Sequence, residues 1–440
     1  MGWASQNVPL VYGHCDQTNA RVTRRPTKGL IFSMAAPDPS TYFRKGFGLK
    51  AQVQDELAAD YSGRLVDRMK AEDYTLAVGD ITIRLAREFG FCYGVERAVE
   101  YAYQARRKFP DRRIYLVGEI IHNPHVNARL RDMGIEILLP REGQFDFAGV
   151  KPEDVVILPA FGVTIHDFEE LRRIGCILVD TTCGSVLNVW KRVESYAKGG
   201  FTAVIHGKYY HEETRATASQ VRKFGEGHYL IVRDMAEARL VCDYIEGRAN
   251  AETLMSKLGH AASSGFDPAQ HLRRVGVANQ TTMLARESLA IAAEIGDAIG
   301  RARGTTARER DFRTFDTICS ATQERQDAVL ELLREPLDVM VVIGGFNSSN
   351  TISLAALCAE QVPTFHVESP EGIDPETASV HHRLPGAQHR DADTSDWLPQ
   401  GDVRLGITAG ASTPNSKIGE AVIRILATRG LELPEIEQSP

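Results

Sequence analysis

The chain is 440 residues long, too long for one ordinary core, and on size alone divides into roughly two to four lobes. Its 51 basic and 58 acidic residues leave a formal charge of −7, which removes any global case for nucleic acid or an anionic membrane as partner. No apolar run approaches the about 18 residues of a membrane helix, and seven cysteines without a Cys-x-x-Cys pair argue against a disulfide framework, a zinc ribbon and a dithiol redox motif. The expected setting is a reducing one, the cytoplasm, or a plastid stroma if residues 1–33 are a transit peptide.

Residues 1–40 read as a disordered leader, with Arg21, Arg24, Arg25 and Lys28 against the single acid Asp16 in its first part. Residues 41–80 read as an N-terminal extension, helix-like from Gln52 to Met69. Strands and helices then alternate. Ile81 to Ala86 alternates as a strand, Val95 to Arg107 reads as a helix, and Arg113 to Ile121, Asp154 to Phe161 and Cys176 to Asp180 read as strands. Trp190 to Ala197 continues a helix, and Phe201 to His206, Tyr229 to Val232 and Arg274 to Ala278 are strand-like. Gln323 to Leu333 is a strong helix before the apolar strand Leu337 to Ile343, and Arg404 to Thr408 and a helix from Ile418 to Thr428 close the chain. Polar stretches near 246–270 and 368–400 read as insertions. The alternation predicts an α/β fold of three lobes with parallel sheets: 81–183, 184–318 and 319–440.

Three cysteines stand where a strand-like run gives way to a helix-like one. The texts are Phe91-Cys92-Tyr93-Gly94, Thr181-Thr182-Cys183-Gly184 and Thr317-Ile318-Cys319-Ser320, and a glycine-marked break follows each cysteine by 26, 24 and 26 residues at Gly118, Gly207 and Gly345. Packing has no reason to place a thiol at one phase of three repeated units, so the repeat points to three thiols converging on one centre. Three thiolates with a fourth position left open suit a catalytic iron–sulfur or metal site, and a helix N-terminus favours the thiolate form. Asp180 and Asp316, each three residues before a cysteine, read as cap or turn residues. Cys15, Cys176, Cys242 and Cys358 lack that phase and read as small hydrophobes.

Polar residues gather at other strand ends, where α/β ligand sites form. Gly344-Gly345-Phe346-Asn347-Ser348-Ser349-Asn350-Thr351 and Gly410-Ala411-Ser412-Thr413-Pro414 are glycine-led turns before helices, able to hold a phosphate although neither is a P-loop. Glu119 to His125, His206-Gly207-Lys208 and His211-Glu212-Glu213 place histidines beside carboxylates able to move protons. Arg215 stands where a zinc-protease helix needs its second histidine, and Gln280-Thr281-Thr282 closes a further strand with hydroxyls.

Taken together, from about Tyr42 to the C-terminus, these segments resemble the 4-hydroxy-3-methylbut-2-enyl diphosphate reductase family, which ends the methylerythritol phosphate route to isoprenoids. The Arg44-Lys45-Gly46-Phe47-Gly48 and Ala278-Asn279-Gln280-Thr281-Thr282 texts resemble its plant and cyanobacterial branch. The resemblance implies three pseudo-threefold α/β lobes, a trefoil, around one [4Fe–4S] cluster per chain, held by Cys92, Cys183 and Cys319. It implies a diphosphate held by His122, His211, Ser348, Ser349, Asn350 and Ser412, and a proton delivered by Glu213 with Thr281, which also touches substrate. It implies reductive removal of the allylic hydroxyl to give isopentenyl and dimethylallyl diphosphate, with two electrons arriving singly through the cluster. Reduced ferredoxin or flavodoxin is the implied donor, since no dinucleotide fingerprint is present.

One departure concerns Ala160-Phe161-Gly162-Val163, where shorter bacterial members carry Ala-His-Gly-Val. The missing contact points to Lys208 or His206 as substitute. A non-redox iron–sulfur enzyme of quinolinate synthase type, or an iron–sulfur sensor, are the competing readings; the phosphate-gripping turns and Glu213 disfavour the first, and the absence of a basic DNA-binding module the second.

Overall fold

Strand-like runs of β-branched residues assemble into three sheets in the computed structural model, which describes residues 41–433 apart from 226 and 386–389. The expected leader at 1–40 lies outside the described residues. In the first sheet Tyr42–Phe43, Ile177–Asp180, Val155–Leu158, Ile114–Val117 and Ile135–Leu138 run parallel in that order. In the second, Phe312–Thr314, Val275–Asn279, Thr202–His206 and Tyr229–Val232 do the same. Strands buried on both faces, such as Ile114–Val117 and Val155–Leu158, are continuous apolar runs. The third sheet has a parallel centre of Thr364–Val367, Val339–Ile343, Val403–Ala409 and Ile81–Leu85, with antiparallel strands added at both edges.

The strand Ile81–Leu85 corrects the expected boundary of the first lobe. It pairs with Val403–Ala409 of the third sheet, with Ile81 beside Val403 and Ile407 beside Leu85. Its inward residues Ile81, Ile83 and Leu85 pack in one core with Val341, Ile343, Leu405 and Ile407. An alternating strand announces which face is buried and leaves its neighbour open, so chain order misplaced it. Cys92 consequently follows a strand of the third lobe and opens a helix of the first.

The extension ties the same two lobes together. Tyr42–Phe43 adds an edge to the first sheet, and Thr75–Val78 pairs antiparallel with Ile81–Leu85 in the third. The single helix expected between Gln52 and Met69 is two, Lys50–Tyr61 and Arg64–Ala71. A side chain at Gly63 would lie 2.5 Å from the Asn415 carbonyl oxygen, so the break sits where two backbones touch. Both insertions are built into lobes. The first supplies the helix Ala251–Leu258, with Leu254 and Leu258 in the core of the second lobe, and the second supplies the antiparallel pair Ser379–Arg383 and Asp391–Ser395. Among the described residues no helix is long and apolar enough to cross a membrane.

Candidate active site

Each of the three repeated cysteines occupies the position immediately before a helix: Cys92 before Tyr93–Lys108, Cys183 before Gly184–Lys198 and Cys319 before Ser320–Leu332. None caps its helix through the side chain, so the sulfurs are free to face elsewhere. All three line one cavity. A methyl group at Gly94 would stand 2.5 Å from Cys183 Sγ and 3.9 Å from Cys92 Sγ, so glycine there leaves room for sulfurs from two lobes. Ser185 Oγ donates to Cys319 Sγ at 3.3 Å. Asp180 and Asp316 form the expected turns, accepting from the backbones of Thr182 and Ile318.

Burial pushes the Cys92 and Cys183 thiols above their usual value, although N–H donors of Val95, Ser185 and Val186 pull the other way. The helix-end effect expected from the sequence is therefore present and is outweighed by burial at both thiols. Among the described residues, the one trio of His, Cys or acidic groups with ligand atoms all within 4.8 Å of one another is His122, His211 and Glu212. The three thiols do not form such a trio, so at least one pair of their sulfurs lies more than 4.8 Å apart, wider than the about 3.8 Å between thiolates of a tetrahedral zinc with Zn–S near 2.3 Å. A donor set of three thiols around a multi-iron cluster fits that wider spacing. Cys176, Cys242 and Cys358 are buried in lobe cores, as their phase suggested, and Cys15 lies outside the described residues.

Polar side chains line the same cavity as the thiols. His122, Phe161, His211, Glu213, Thr281, Ser348, Ser349, Asn350 and Ser412 line it together with the cysteines, whereas Lys208 and His206 do not. Ser348 caps the helix Ser349–Ala359 through the Thr351 N–H, and Ser412 Oγ donates to the His122 carbonyl at 3.1 Å. Asn350 Oδ1 accepts from the Ala411 N–H at 2.9 Å, which leaves its Nδ2 free. His122 Nε2, Ser349 Oγ and Asn350 Nδ2 are buried without a hydrogen-bond partner. Such groups cost about 1–3 kcal/mol each when left unpaired, so their clustering marks a place built for a polar ligand.

Charge is distributed with equal care. His122 Nδ1 is 2.9 Å from Glu119 Oε2, and its Nε2 is 3.4 Å from Glu212 Oε2, an ion-pair distance without hydrogen-bond alignment. Burial opposes charge on His122, but the two carboxylates outweigh it and hold the ring at about 9, an imidazolium at neutral pH. Burial works against Glu212 as well, and His122 overrides it, bringing the carboxyl down to about 2. His211 is pushed down to about 3 by burial and by the charge on His122. Its Nδ1 accepts from the Glu213 N–H at 3.1 Å, so the neutral ring keeps its proton on Nε2. The trio suits an anion better than a metal, because one ring is charged and the other has its lone pair engaged.

Glu213 is fully buried, and burial pushes its carboxyl up to about 7 against two bonds from Thr281. Those bonds run from the Thr281 N–H at 2.6 Å and the Thr281 hydroxyl at 2.9 Å. Thr281 in turn accepts from the Cys319 N–H at 3.3 Å, which places the carboxyl one residue away from a thiol loop. Phe161 stacks on His122 with ring centres 4.4 Å apart and meets His211 edge-on at 5.5 Å. It braces both histidines rather than adding a third. His206 is wholly buried with its Nδ1 against Ser288, away from the cavity, which removes it as the substitute. Lys208 lines a second cavity together with Glu119, Glu212 and Arg383 of the second insertion, and His122 and His211 line both cavities. Sequence reasoning missed Gly94 and Phe161 as site-building residues; Gly94 was signalled only by its place two residues after Cys92.

The family profile described as LytB protein matches residues 83–426. This chain belongs to the LytB protein family. It is similar to the 4-hydroxy-3-methylbut-2-enyl diphosphate reductase of Thermosynechococcus vestitus, 46% identical over 402 residues that cover 91% of this chain and 98% of the relative. A Synechococcus reductase of the same name is 47% identical over 386 residues, 88% of this chain and 93% of the relative. The solved E-1-hydroxy-2-methyl-but-2-enyl-4-diphosphate reductase of Plasmodium falciparum, 21% identical, superposes with a TM-score of 0.57 over 77% of this chain and 86% of that one. That likeness agrees with the LytB chain's three-lobed α/β architecture.

Proposed function

We propose that this LytB-family chain reductively removes the hydroxyl of (E)-4-hydroxy-3-methylbut-2-enyl diphosphate, giving isopentenyl and dimethylallyl diphosphate as the last step of the methylerythritol phosphate route. The observation that carries this is one cavity lined by three thiols, by unpaired buried donors and by a carboxyl poised near neutrality. Cys92, Cys183 and Cys319 would hold a [4Fe–4S] cluster, which when bound supplies Lewis-acid and one-electron chemistry.

The chain's own groups do the rest. The His122 cation, the His211 Nε2–H, Ser349 Oγ and Asn350 Nδ2 bind the diphosphate, and Ser348 and Ser412 hold the turns that present them. Glu213 stores a proton beside the Thr281 hydroxyl, and from there it protonates the leaving oxygen as water departs. Lys208 compensates for the histidine replaced by Phe161, drawing the anion in through the second cavity. The electrons come from reduced ferredoxin or flavodoxin, in the cytoplasm, or in a plastid stroma if residues 1–33 direct the chain there.

Asn350→Ala tests the grip. It removes an unpaired donor without touching a thiol or Glu213, so KM for the diphosphate should rise about tenfold while the iron content stays constant. An unchanged KM would take the diphosphate away from this wall.

A further inference from the structure

Arg325 sits in the helix Ser320–Leu332 and is 3% exposed. Its bonds all go to main-chain oxygens: Nε and Nη2 to Gly90 at 3.2 and 2.7 Å, Nη1 to Ala321 at 2.8 Å. Among the described residues no carboxylate lies within ion-pair distance of it. A buried guanidinium without a counter-ion is unfavourable, and carbonyl dipoles compensate only part of the charge. Gly90 lies two residues before Cys92, so this cation is clasped to the loop that carries the first thiol. Its charge is also among the influences that favour the Cys92 thiolate.

The clasp belongs to a cyclic pattern. Arg97, in the helix after Cys92, donates through Nη2 to the Thr181 and Thr182 carbonyls that precede Cys183, at 3.3 and 2.5 Å. Ser185, after Cys183, donates to Cys319 Sγ. Arg325, after Cys319, returns to the loop before Cys92. Each helix that follows a cysteine therefore reaches the next cysteine in the ring or the loop just before it, and the ring closes across the third and first lobes through a buried arginine.

We infer that Arg325 is a positioning residue that anchors the Cys92 loop and serves as the counter-charge for the thiolate-held group, raising its reduction potential. The inference rests on the reading that the three thiols hold an iron–sulfur cluster. One-electron reduction adds one negative charge to that group, taken from an external reductant, while Arg325 keeps its charge throughout. A nearby fixed cation stabilises the reduced form more than the oxidised one.

The test is a mediated redox titration of the reconstituted full chain, followed by electron paramagnetic resonance, with iron per chain measured alongside. Arg325→Gln should hold native iron and titrate at a more negative potential. Arg325→Lys keeps the charge and loses the two-point clasp, so it should titrate near the native potential and release iron faster to a chelator. A native potential in Arg325→Gln, or a fall in Arg325→Lys as large as that in Arg325→Gln, would overturn the inference. Should Arg325→Gln fail to retain iron, the lysine variant decides alone, since any substantial fall in its potential contradicts a role for the charge. If the wild-type chain assembles no four-iron cluster, the underlying reading fails first and the inference with it.

Discussion

Replacing Glu213 by Gln isolates the proton that the proposed chemistry requires. The change keeps the side chain's size and an oxygen for the Thr281 N–H, and the Thr281 hydroxyl can turn from donor to acceptor. Burial takes the carboxyl from 4.5 to about 7, so at pH 7 about half the molecules hold the proton, against roughly one in 300 for an unshifted glutamate. That difference corresponds to about 3 kcal/mol. Losing a positioned acid should lower kcat by about 10²–10⁴. The wild-type kcat/KM should decline as pH rises through about 7, and the variant should lose that limb while keeping its four-iron spectrum. The same shift sets a stability signature. The folded chain binds this proton more tightly than the unfolded one, so the stabilisation is full below 4.5 and is lost as pH rises through 7. Glu213→Gln should therefore gain about 2 kcal/mol on the wild type between pH 5 and pH 8, read by denaturant unfolding at both values. A variant with wild-type turnover, or one whose relative stability ignores pH, would refute the assignment.

Gly94→Ala places a methyl against Cys183 Sγ, and should cost the chain most of its bound iron, measured by absorbance and iron assay, while circular dichroism stays unchanged. Lys208→Gln should raise KM about two- to fivefold with little change in kcat. Burial brings the Lys208 ammonium down to about 8, so wild-type affinity for the diphosphate should weaken above that pH, and the variant should keep only a later loss near pH 9, where His122 gives up its charge. Phe161→Ala removes the stack on His122; with about 0.5–1.5 kcal/mol per aromatic pair, KM should rise roughly two- to tenfold at constant iron content.

The site was legible because its chemistry repeats. A thiol at one phase of three strand-to-helix junctions is a local pattern, and the structure brings Cys92, Cys183 and Cys319 to one cavity with His122, His211, Glu213, Thr281, Ser348, Ser349, Asn350 and Ser412, though not with Lys208 or His206. Local periodicity likewise located most elements, such as Thr202–His206 and Ser320–Leu332, within a few residues. What stayed hidden depends on contacts between distant segments. Ile81–Leu85 shows its buried face in its own text, but its partner lies more than 300 residues away. The break at Gly63 exists because the Asn415 backbone passes it. Helix N-termini suggested easily ionised thiols, yet burial is a property of the folded surroundings and prevails at Cys92 and Cys183. Phe161 marked a missing histidine, and only the packed rings reveal that it steadies the two that remain.

Anaerobic turnover of 4-hydroxy-3-methylbut-2-enyl diphosphate by the reconstituted chain, followed as oxidation of reduced methyl viologen, tests the central claim most directly. The expected result is robust oxidation with isopentenyl and dimethylallyl diphosphate as products, abolished in Cys183→Ser. No oxidation from a chain with an intact four-iron spectrum would contradict it.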